Sequence, residues 1–315
     1  MTSVNTLPPI GRVVRFLKRR QPLAAKVRKG DALVAWILIA PSILGFLVFA
    51  AYPTLRGIYL SFTEYRVFTP ARWVGLDNFV KLAQDTRFWG SLGTTFYFVI
   101  LTVAITMLVS VVTAVVLHRL TASTLIRSVV ILPFLISNVV AAVIFSWMLD
   151  QQLGIVNILV NALGGESIGF LSDRPWVVPT IALITVWKSA GYTTILVFAG
   201  LQTIPPEIYE AGKLDGANEM QMFRRLTLPL LRPILAMVLV LTVIGSFQVF
   251  DIVQVTTKGG PANASLVLQM YIYDKAFGQF DFGYASAMAL VLFVMLIIIS
   301  FAQMRLLRAS ETDQA

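Results

Sequence analysis

The sequence contains no cysteine and a single histidine, His118. The lack of cysteine excludes a disulfide framework, a thiolate metal site and a cysteine nucleophile. One histidine leaves little for a multi-histidine metal site or a Ser-His-Asp triad, and an interfacial role beside Arg119 is the simpler interpretation. The chain also lacks a G-x-x-x-x-G-K-[ST] loop, because its one Gly-Lys pair, Gly212-Lys213, is followed by Leu214. We therefore expect no catalytic residue, no metal site and no cofactor bound by this chain.

Charged residues are also scarce, at 13% of the 315 residues. A soluble domain typically has about 25%. Hydrophobic residues make up 57% of the chain and are concentrated in blocks of about 20 or more residues, which is typical of a polytopic helical membrane protein. Because the ten-residue alternation of a membrane barrel is missing, the predicted fold class is all-α.

Six segments have the length and hydropathy needed to cross a bilayer. Each covers about 30 Å of hydrocarbon at about 1.5 Å per residue. Backbone groups in lipid must bond within their own segment, which predicts helices. The predicted spans are Leu33–Pro53, Thr94–Leu117, Ile126–Met148, Val177–Leu201, Pro233–Val255 and Tyr284–Gln303. Pro41 and Pro133 are expected to kink their helices, and Gly45 and Gly191 to allow close packing.

The distribution of lysine and arginine predicts that both termini face the cytoplasm. That orientation places 16 basic residues inside and eight outside, as the positive-inside rule requires. The net charge of +9 then reflects topology, and a nucleic-acid partner is not needed to explain it. We divide the chain into a basic N-terminal segment (1–30), a six-span domain (31–305) and a cytoplasmic tail (306–315). The basic segment fits either a short interfacial helix or a basic tail without fixed structure.

The third cytoplasmic loop, residues 202–232, has the pattern of two short helices joined by a glycine. Pro206 suits the first turn of the first helix, and Gly216 permits a bend after it. Asp215 or Asn218 is placed to cap the second helix. The second helix is expected to expose apolar side chains to a partner protein. Those side chains are Met220, Met222 and Phe223.

This loop resembles the E-A-A-x3-G-x9-I-x-L-P motif of the permease subunits of bacterial ABC importers. Glu210-Ala211-Gly212, Gly216 and Leu226-Thr227-Leu228-Pro229 match its spacing, with Gly212 in place of alanine and Leu226 in place of isoleucine. The run Asp215-Gly216-Ala217 is similar to the sugar-type branch, the maltose and glycerol-3-phosphate permease family.

Two predicted outside segments extend the resemblance to about residues 35–305. The first contains Val74-Gly75-Leu76-Asp77-Asn78-Phe79 followed by Phe88-Trp89. The second contains Phe250-Asp251, Thr257-Lys258-Gly259-Gly260-Pro261, Tyr271-Ile272-Tyr273 and Ala276-Phe277.

The resemblance implies a transport subunit of a bacterial cytoplasmic membrane, and not an enzyme. Such a permease works with a second related permease subunit, two copies of an ATP-hydrolysing subunit that holds ATP and Mg, and an extracytoplasmic solute-binding protein. The implied solute is a disaccharide, an oligosaccharide, another sugar or a glycerol phosphate, moved by alternating access. The residues implied in coupling to the ATPase are Glu210, Ala211, Gly212, Asp215, Gly216 and Pro229.

Polar residues within the spans are candidates for the solute pathway because they are costly in lipid. Lys188 is predicted near mid-membrane, and Asp251 nearer the outer face, so we assume no salt bridge between them. The full set is Asn138, Lys188, Tyr192, Gln248 and Asp251. Any of these residues could instead bond to a neighbouring helix. The alternative function, an ion-gradient-driven secondary transporter or channel, would favour a carboxylate relay, for which only Asp251 is available.

Overall fold

A computed structural model of the chain describes residues 29–67, 69–120 and 123–308. Almost all of the basic N-terminal segment and most of the tail therefore lie outside the described residues. The helices, in chain order, are α1 (Lys29–Phe46), α2 (Tyr52–Ser61), α3 (Asp77–Gln84), α4 (Thr86–Leu120), α5 (Thr124–Leu135), α6 (Asn138–Met148), α7 (Ile155–Ala162), α8 (Arg174–Leu201), α9 (Pro206–Leu214), α10 (Glu219–Met222), α11 (Leu228–Leu230), α12 (Arg232–Phe247), α13 (Asp251–Thr256), α14 (Leu268–Tyr273) and α15 (Phe282–Arg308). π-Helical turns lie at Leu47–Ala51, Phe223–Thr227 and Asp274–Gly278.

The described residues contain five helical segments that are long and apolar enough to cross a bilayer, and a bent pair that makes a sixth when counted as one span. The five are Val34–Ser61, Thr86–Arg119, Arg174–Leu201, Arg232–Thr256 and Phe282–Leu306. This arrangement confirms the predicted all-α polytopic class.

The third predicted span, Ile126–Met148, is wrong as a single helix. α5 and α6 meet at a bend of 90°. Pro133 lies just before the bend and removes one helical hydrogen bond. Ile136 and Ser137 then adopt extended or near-extended backbone angles (ψ 138° and 144°), which no helix continues through. The proline therefore marks the right place, but the helix is broken there and not merely kinked.

The first two spans are longer than predicted. The first continues past Pro53 to Ser61, and the second begins at Thr86 instead of Thr94. A π-helical turn ends at Ala51, two residues before Pro53, and such turns accommodate irregular backbone bonding within a helix.

The segment between these two spans folds instead of forming an open loop. β1 (Thr63–Arg66) pairs antiparallel with β2 (Thr69–Trp73), with Glu64 opposite Arg72. The sequence did not predict this hairpin.

By its internal contacts the chain divides into two units, with the boundary along the chain between Arg56 and Gly57. In the second unit, α4 and α8 both contribute residues to two apolar clusters. The larger cluster includes Phe88, Phe98, Ile181, Phe247 and Tyr284. The smaller cluster includes Ala114, Leu117, Val197, Leu201 and Leu231, and it lies at the end of the helices from which residues 202–232 project.

Asp85 joins the two segments that were predicted to lie outside the membrane. Its Oδ1 accepts the backbone N–H groups of Arg87 and Phe88 at 2.9 and 3.1 Å, which caps α4. Its Oδ2 accepts the hydroxyls of Tyr271 and Tyr284, each at 2.7 Å. Burial alone would raise the pKa of Asp85, but these hydrogen bonds hold the pKa below its ordinary value. Burial and the nearby carboxylate raise the pKa of Tyr271.

Candidate functional site

Four of the five polar residues proposed from the spans line one cavity of about 160 Å³. We call it the pathway cavity. Its polar lining includes Asn138 from α6, Lys188 from α8, and Gln248 and Asp251 from the junction of α12 and α13. The structure therefore brings Lys188 and Asp251 to the same cavity, although counting along straight helices places them at different depths.

Two helix breaks lie side by side at this cavity. Asn138 begins α6 and Asp251 begins α13, and each follows a short non-helical interruption. The Asn138 Nδ2 donates to the Asp251 Oδ2 at 2.8 Å. A carboxylate in the first turn of a helix is also favoured by the helix dipole. The breaks thus bring together two polar side chains that lie 113 residues apart in the sequence.

Lys188 contacts the other side of the first break. Its Nζ donates to the main-chain oxygen of Phe134 at 3.3 Å and lies 5.3 Å from the centre of the Phe134 ring. Because α5 ends at Leu135, this oxygen is one of the last four helical carbonyls, which have no partner within the helix. Within the part of the chain that the structure describes, Lys188 forms no ion pair.

Tyr192, the fifth candidate, lines an adjoining cavity of about 270 Å³. Its ring stacks on that of Phe134, with centroids 4.6 Å apart and planes 15° from parallel. Phe134 borders both cavities. The second cavity is rich in hydroxyl groups, and these belong to Thr102, Thr185, Ser189, Tyr192, Thr193, Thr242 and Ser246.

Sequence reasoning missed Phe134 and Thr102 as parts of this site. Thr102 is 1% exposed, and its hydroxyl has no hydrogen-bond partner among the described residues. A polar residue in the middle of an apolar span is the signal that could have identified Thr102. Phe134 carries no such signal, because an aromatic residue in a span is ordinary.

Residues 202–232, which we call the coupling loop, contain the predicted helix–glycine–helix. α9 ends at Leu214, and the C-cap residue Asp215 donates its backbone N–H to the carbonyl of Ala211 at 3.0 Å. Gly216 then has φ +76°, a left-handed conformation that glycine adopts without steric cost. Asn218 caps α10 in a capping box with Gln221, through two bonds of 2.9 Å. Of the two predicted caps, Asn218 is therefore the one that forms.

The exposed surface of the coupling loop only partly matches the prediction. Of its three apolar candidates, Met220 is 63% exposed, Phe223 is half-buried and Met222 is buried at 3%. The expectation that Met222 forms a contact surface is wrong, because it packs beneath α9 near Gly212. The exposed members of the coupling motif are Glu210, Ala211, Asp215 and Gly216. Pro229 is half-buried.

The two departures from the resembled motif are neighbours in space. A Cβ atom on Gly212 would lie 2.9 Å from the Leu226 Cδ1 and 3.7 Å from the Met222 Cγ. The Leu226 side chain therefore occupies the space that an alanine methyl would fill at position 212. The smaller residue and the longer residue compensate each other in packing.

Comparison with known proteins places this architecture among transport subunits. Residues 106–311 match the family model described as binding-protein-dependent transport system inner membrane component. The chain is 30% identical to the sulfoquinovosyl glycerol transport system permease protein SmoG of Agrobacterium fabrum, over 90% of this chain and 92% of that protein. It is 35% identical to the lactose transport system permease protein LacF of Rhizobium radiobacter, over 85% of this chain and 92% of that protein.

A solved structure supports the same likeness. A chain of a bacterial alginate ABC transporter, crystallised with an alginate pentasaccharide-bound periplasmic protein, superposes with a TM-score of 0.78 at 25% identity. The match covers 89% of this chain and 96% of that chain.

Proposed function

Because this chain belongs to the family of binding-protein-dependent transport system inner membrane components, we propose that it moves a sugar or sugar-like solute across the cytoplasmic membrane by alternating access. It is a multi-pass transport subunit of the ABC importer type. The observation that carries the proposal is the pathway cavity, where polar groups from α6, α8 and the α12–α13 junction converge between helix breaks.

The solute class is inferred from the relatives and from the cavity lining. The relatives named above are a sulfoquinovosyl glycerol permease and a lactose permease, and the solved structure is of an alginate transporter. The two adjoining cavities present hydroxyl, amide, ammonium and carboxylate groups, a mixture that can both donate to and accept from a polyhydroxylated solute. A di- or oligosaccharide or a glycerol phosphate suits this lining.

Lys188 is proposed to bind the solute directly. In the described residues its ammonium is held by one main-chain oxygen and no carboxylate, so an anionic or hydroxyl group of the solute would improve its bonding. Lys188→Gln should lower uptake of a glycerol phosphate more than uptake of a neutral disaccharide. Lys258→Gln, which removes an exposed lysine outside the spans, is the matched control. Equal uptake of both solutes by Lys188→Gln and wild type would contradict a binding role.

The coupling loop is proposed to dock on a separate ATP-hydrolysing subunit. Two copies of that subunit, which bind ATP and Mg, would be present in the importer. The exposed surface formed by Glu210, Ala211, Asp215 and Gly216 supports this role, with Gly212 and Pro229 shaping the loop from behind. The loop is continuous with α8 and α12, and both helices contribute to the pathway cavity. A pull on the loop would therefore move two walls of the cavity together.

The remaining partners follow from the same proposal. A second related permease subunit would complete the pathway, and an extracytoplasmic binding protein would deliver the solute. Both termini would face the cytoplasm, and the coupling loop would then lie on the side where the ATPase binds.

Uptake into proteoliposomes tests the proposal. The chain is reconstituted with its partner subunits, and uptake is measured with and without ATP. We expect ATP-dependent uptake that is lost in Glu210→Ala and Gly216→Asp while both variants remain in the membrane, and that is retained in the exposed control Arg225→Ala. Uptake without ATP, or uptake driven by an ion gradient, would refute the importer mechanism. Normal uptake in both loop variants would refute the coupling role.

A further inference from the structure

A third cavity, of about 420 Å³, lies between the coupling loop and the ends of α4 and α8. We call it the loop cavity. Its polar lining consists of His118, Arg119, Tyr209, Lys213, Glu219 and Thr227. Its volume falls in the range of about 300–1,000 Å³ that is common for small-molecule sites. The solute pathway described above does not use this cavity, because the two cavities share no lining residue.

The charges around the loop cavity leave a net excess of positive charge. Arg119 at the end of α4 forms an ion pair with Glu219 of α10, so these two charges offset each other. Lys213 contributes a further positive charge, and among the described residues it forms neither an ion pair nor a side-chain hydrogen bond.

The donors of the loop cavity come mainly from two helices, α4 and α9. Tyr209 and Lys213 are four residues apart on α9 and therefore lie on one face of that helix. The Thr227 hydroxyl donates to the main-chain oxygen of Met222 at 3.4 Å, so the Tyr209 hydroxyl, 3.1 Å from the Thr227 Oγ1, donates to it and would turn its proton to a bound phosphate. His118 and Arg119 of α4 line the same cavity.

The cavity also has an apolar part, formed by Val115, Leu201 and Met222. A bare inorganic anion would leave this part uncovered, whereas an organic phosphate would place its carbon skeleton there. Lysine binds phosphate as a point charge, and hydroxyl groups donate to the remaining oxygens. Basic pockets between helices on the cytoplasmic side of membranes take up anionic head groups in the same way.

We propose that the loop cavity binds the phosphate group of an organic phosphate ester, either an anionic lipid head group or a soluble organophosphate. Lys213 would be its main ligand, supported by His118 and the Tyr209 hydroxyl. The bound phosphate would connect α4 to α9 and so restrict movement of the coupling loop. The cytoplasmic position of the cavity rests on the proposed function, but the binding itself does not.

The test measures binding to the full chain, purified with its partner subunits and placed in nanodiscs. One arm uses nanodiscs of phosphatidylcholine with added phosphatidylglycerol, and native mass spectrometry counts the retained anionic lipid. The other arm uses phosphatidylcholine alone and titrates glycerol 3-phosphate by calorimetry. Retention of phosphatidylglycerol would assign the site to lipid, and saturable binding of glycerol 3-phosphate would assign it to a soluble ester.

Variants connect the binding to this cavity. Lys213→Gln should weaken binding by about tenfold or more, because a charge-assisted hydrogen bond is lost, whereas Lys213→Arg should largely retain it. Arg225→Gln removes another exposed cation of the same loop that does not line the cavity, and should bind as wild type does. Coelution with the partner subunits checks that each variant is folded.

Two outcomes would overturn the proposal. In one, wild type binds neither phosphatidylglycerol nor glycerol 3-phosphate. In the other, Lys213→Gln binds as tightly as wild type. If either outcome is found while ATP-dependent uptake is normal, only the phosphate-binding proposal fails. If phosphate binding is normal but uptake does not depend on ATP, only the transport proposal fails.

Discussion

Gly191 is the point where α8 and α5 touch through their backbones. A Cβ atom added there would overlap the carbonyl oxygen of Val130 and lie 3.2 Å from the Cα of Ile131. Both atoms belong to the backbone of α5, so neither can turn away as a flexible side chain would. For alanine to fit, α5 would have to move away from α8 as a unit, by roughly 1 Å.

This displacement would reach the pathway cavity, because α5 ends beside it. Phe134 lies four residues beyond Val130, and it stacks on Tyr192 and accepts the bond from Lys188. Overpacking of this kind costs about 1–3 kcal/mol, whereas replacing a helical glycine with alanine gains about 1 kcal/mol. We therefore expect Gly191→Ala to lower the free energy of unfolding by up to about 2 kcal/mol, and to reduce solute uptake as well.

Thermal unfolding of the purified protein in detergent measures the first effect, and uptake into proteoliposomes measures the second. Gly93→Ala is the matched control, since Gly93 lies in α4 and an added Cβ there meets no atom within 4 Å. The control should unfold at the wild-type temperature or slightly above it. If Gly191→Ala unfolds and transports as the control does, the close backbone approach of α5 and α8 is refuted.

Three further perturbations test other parts of the structure. Hydrogen bonds lower the pKa of Asp85, so the stability that its carboxylate contributes is present above the ordinary pKa of 3.8 and is lost as the pH falls below that value. Asp85→Asn should therefore flatten the fall in melting temperature over that acidic range. The same dependence of melting temperature on pH in Asp85→Asn and wild type would contradict the role of Asp85. Gly216→Ala should lower the free energy of unfolding by about 1–2 kcal/mol because of the positive φ, and Gly216→Asn should lower it less. Equal melting temperatures for the two variants and wild type would show that the left-handed turn is absent. Gly212→Ala should lower the melting temperature less when combined with Leu226→Ile than alone, because a Leu226 methyl occupies the space that the alanine Cβ would need. Additive changes in melting temperature in a double-mutant cycle would refute that packing.

The coupling loop could be predicted from the sequence because its signals act over a few residues. Pro206 begins α9 as its fixed φ favours, Gly216 turns the chain, and Asn218 caps the helix directly after it. None of these effects depends on a distant part of the chain. The burial of Met222 is the exception, because it depends on Leu226 and on the approach of α9.

The contacts that the sequence did not reveal join residues far apart in the chain. Asp85 and Tyr284 are separated by 199 residues, and each reads alone as an ordinary interfacial side chain. The hydroxyl of Thr102 likewise gains meaning only when α8 and α12 close a cavity around it. Patterns within one span reveal which residues are apolar, but they do not reveal which polar residues of other spans meet at one depth.

Lys188 shows why charge pairing alone is an incomplete guide to a membrane sequence. A search for its partner considers carboxylates, and Asp251 is then set aside because straight helices place it at another depth. The structure contains two helix breaks, so depths counted along straight helices do not apply, and Asp251 lies at the same cavity as Lys188. Yet the partner that Lys188 contacts is the carbonyl of Phe134, which is available because α5 ends one residue later. A helix break in lipid must have its free carbonyls satisfied, so a lysine on a neighbouring span and the proline beside a break should be interpreted together.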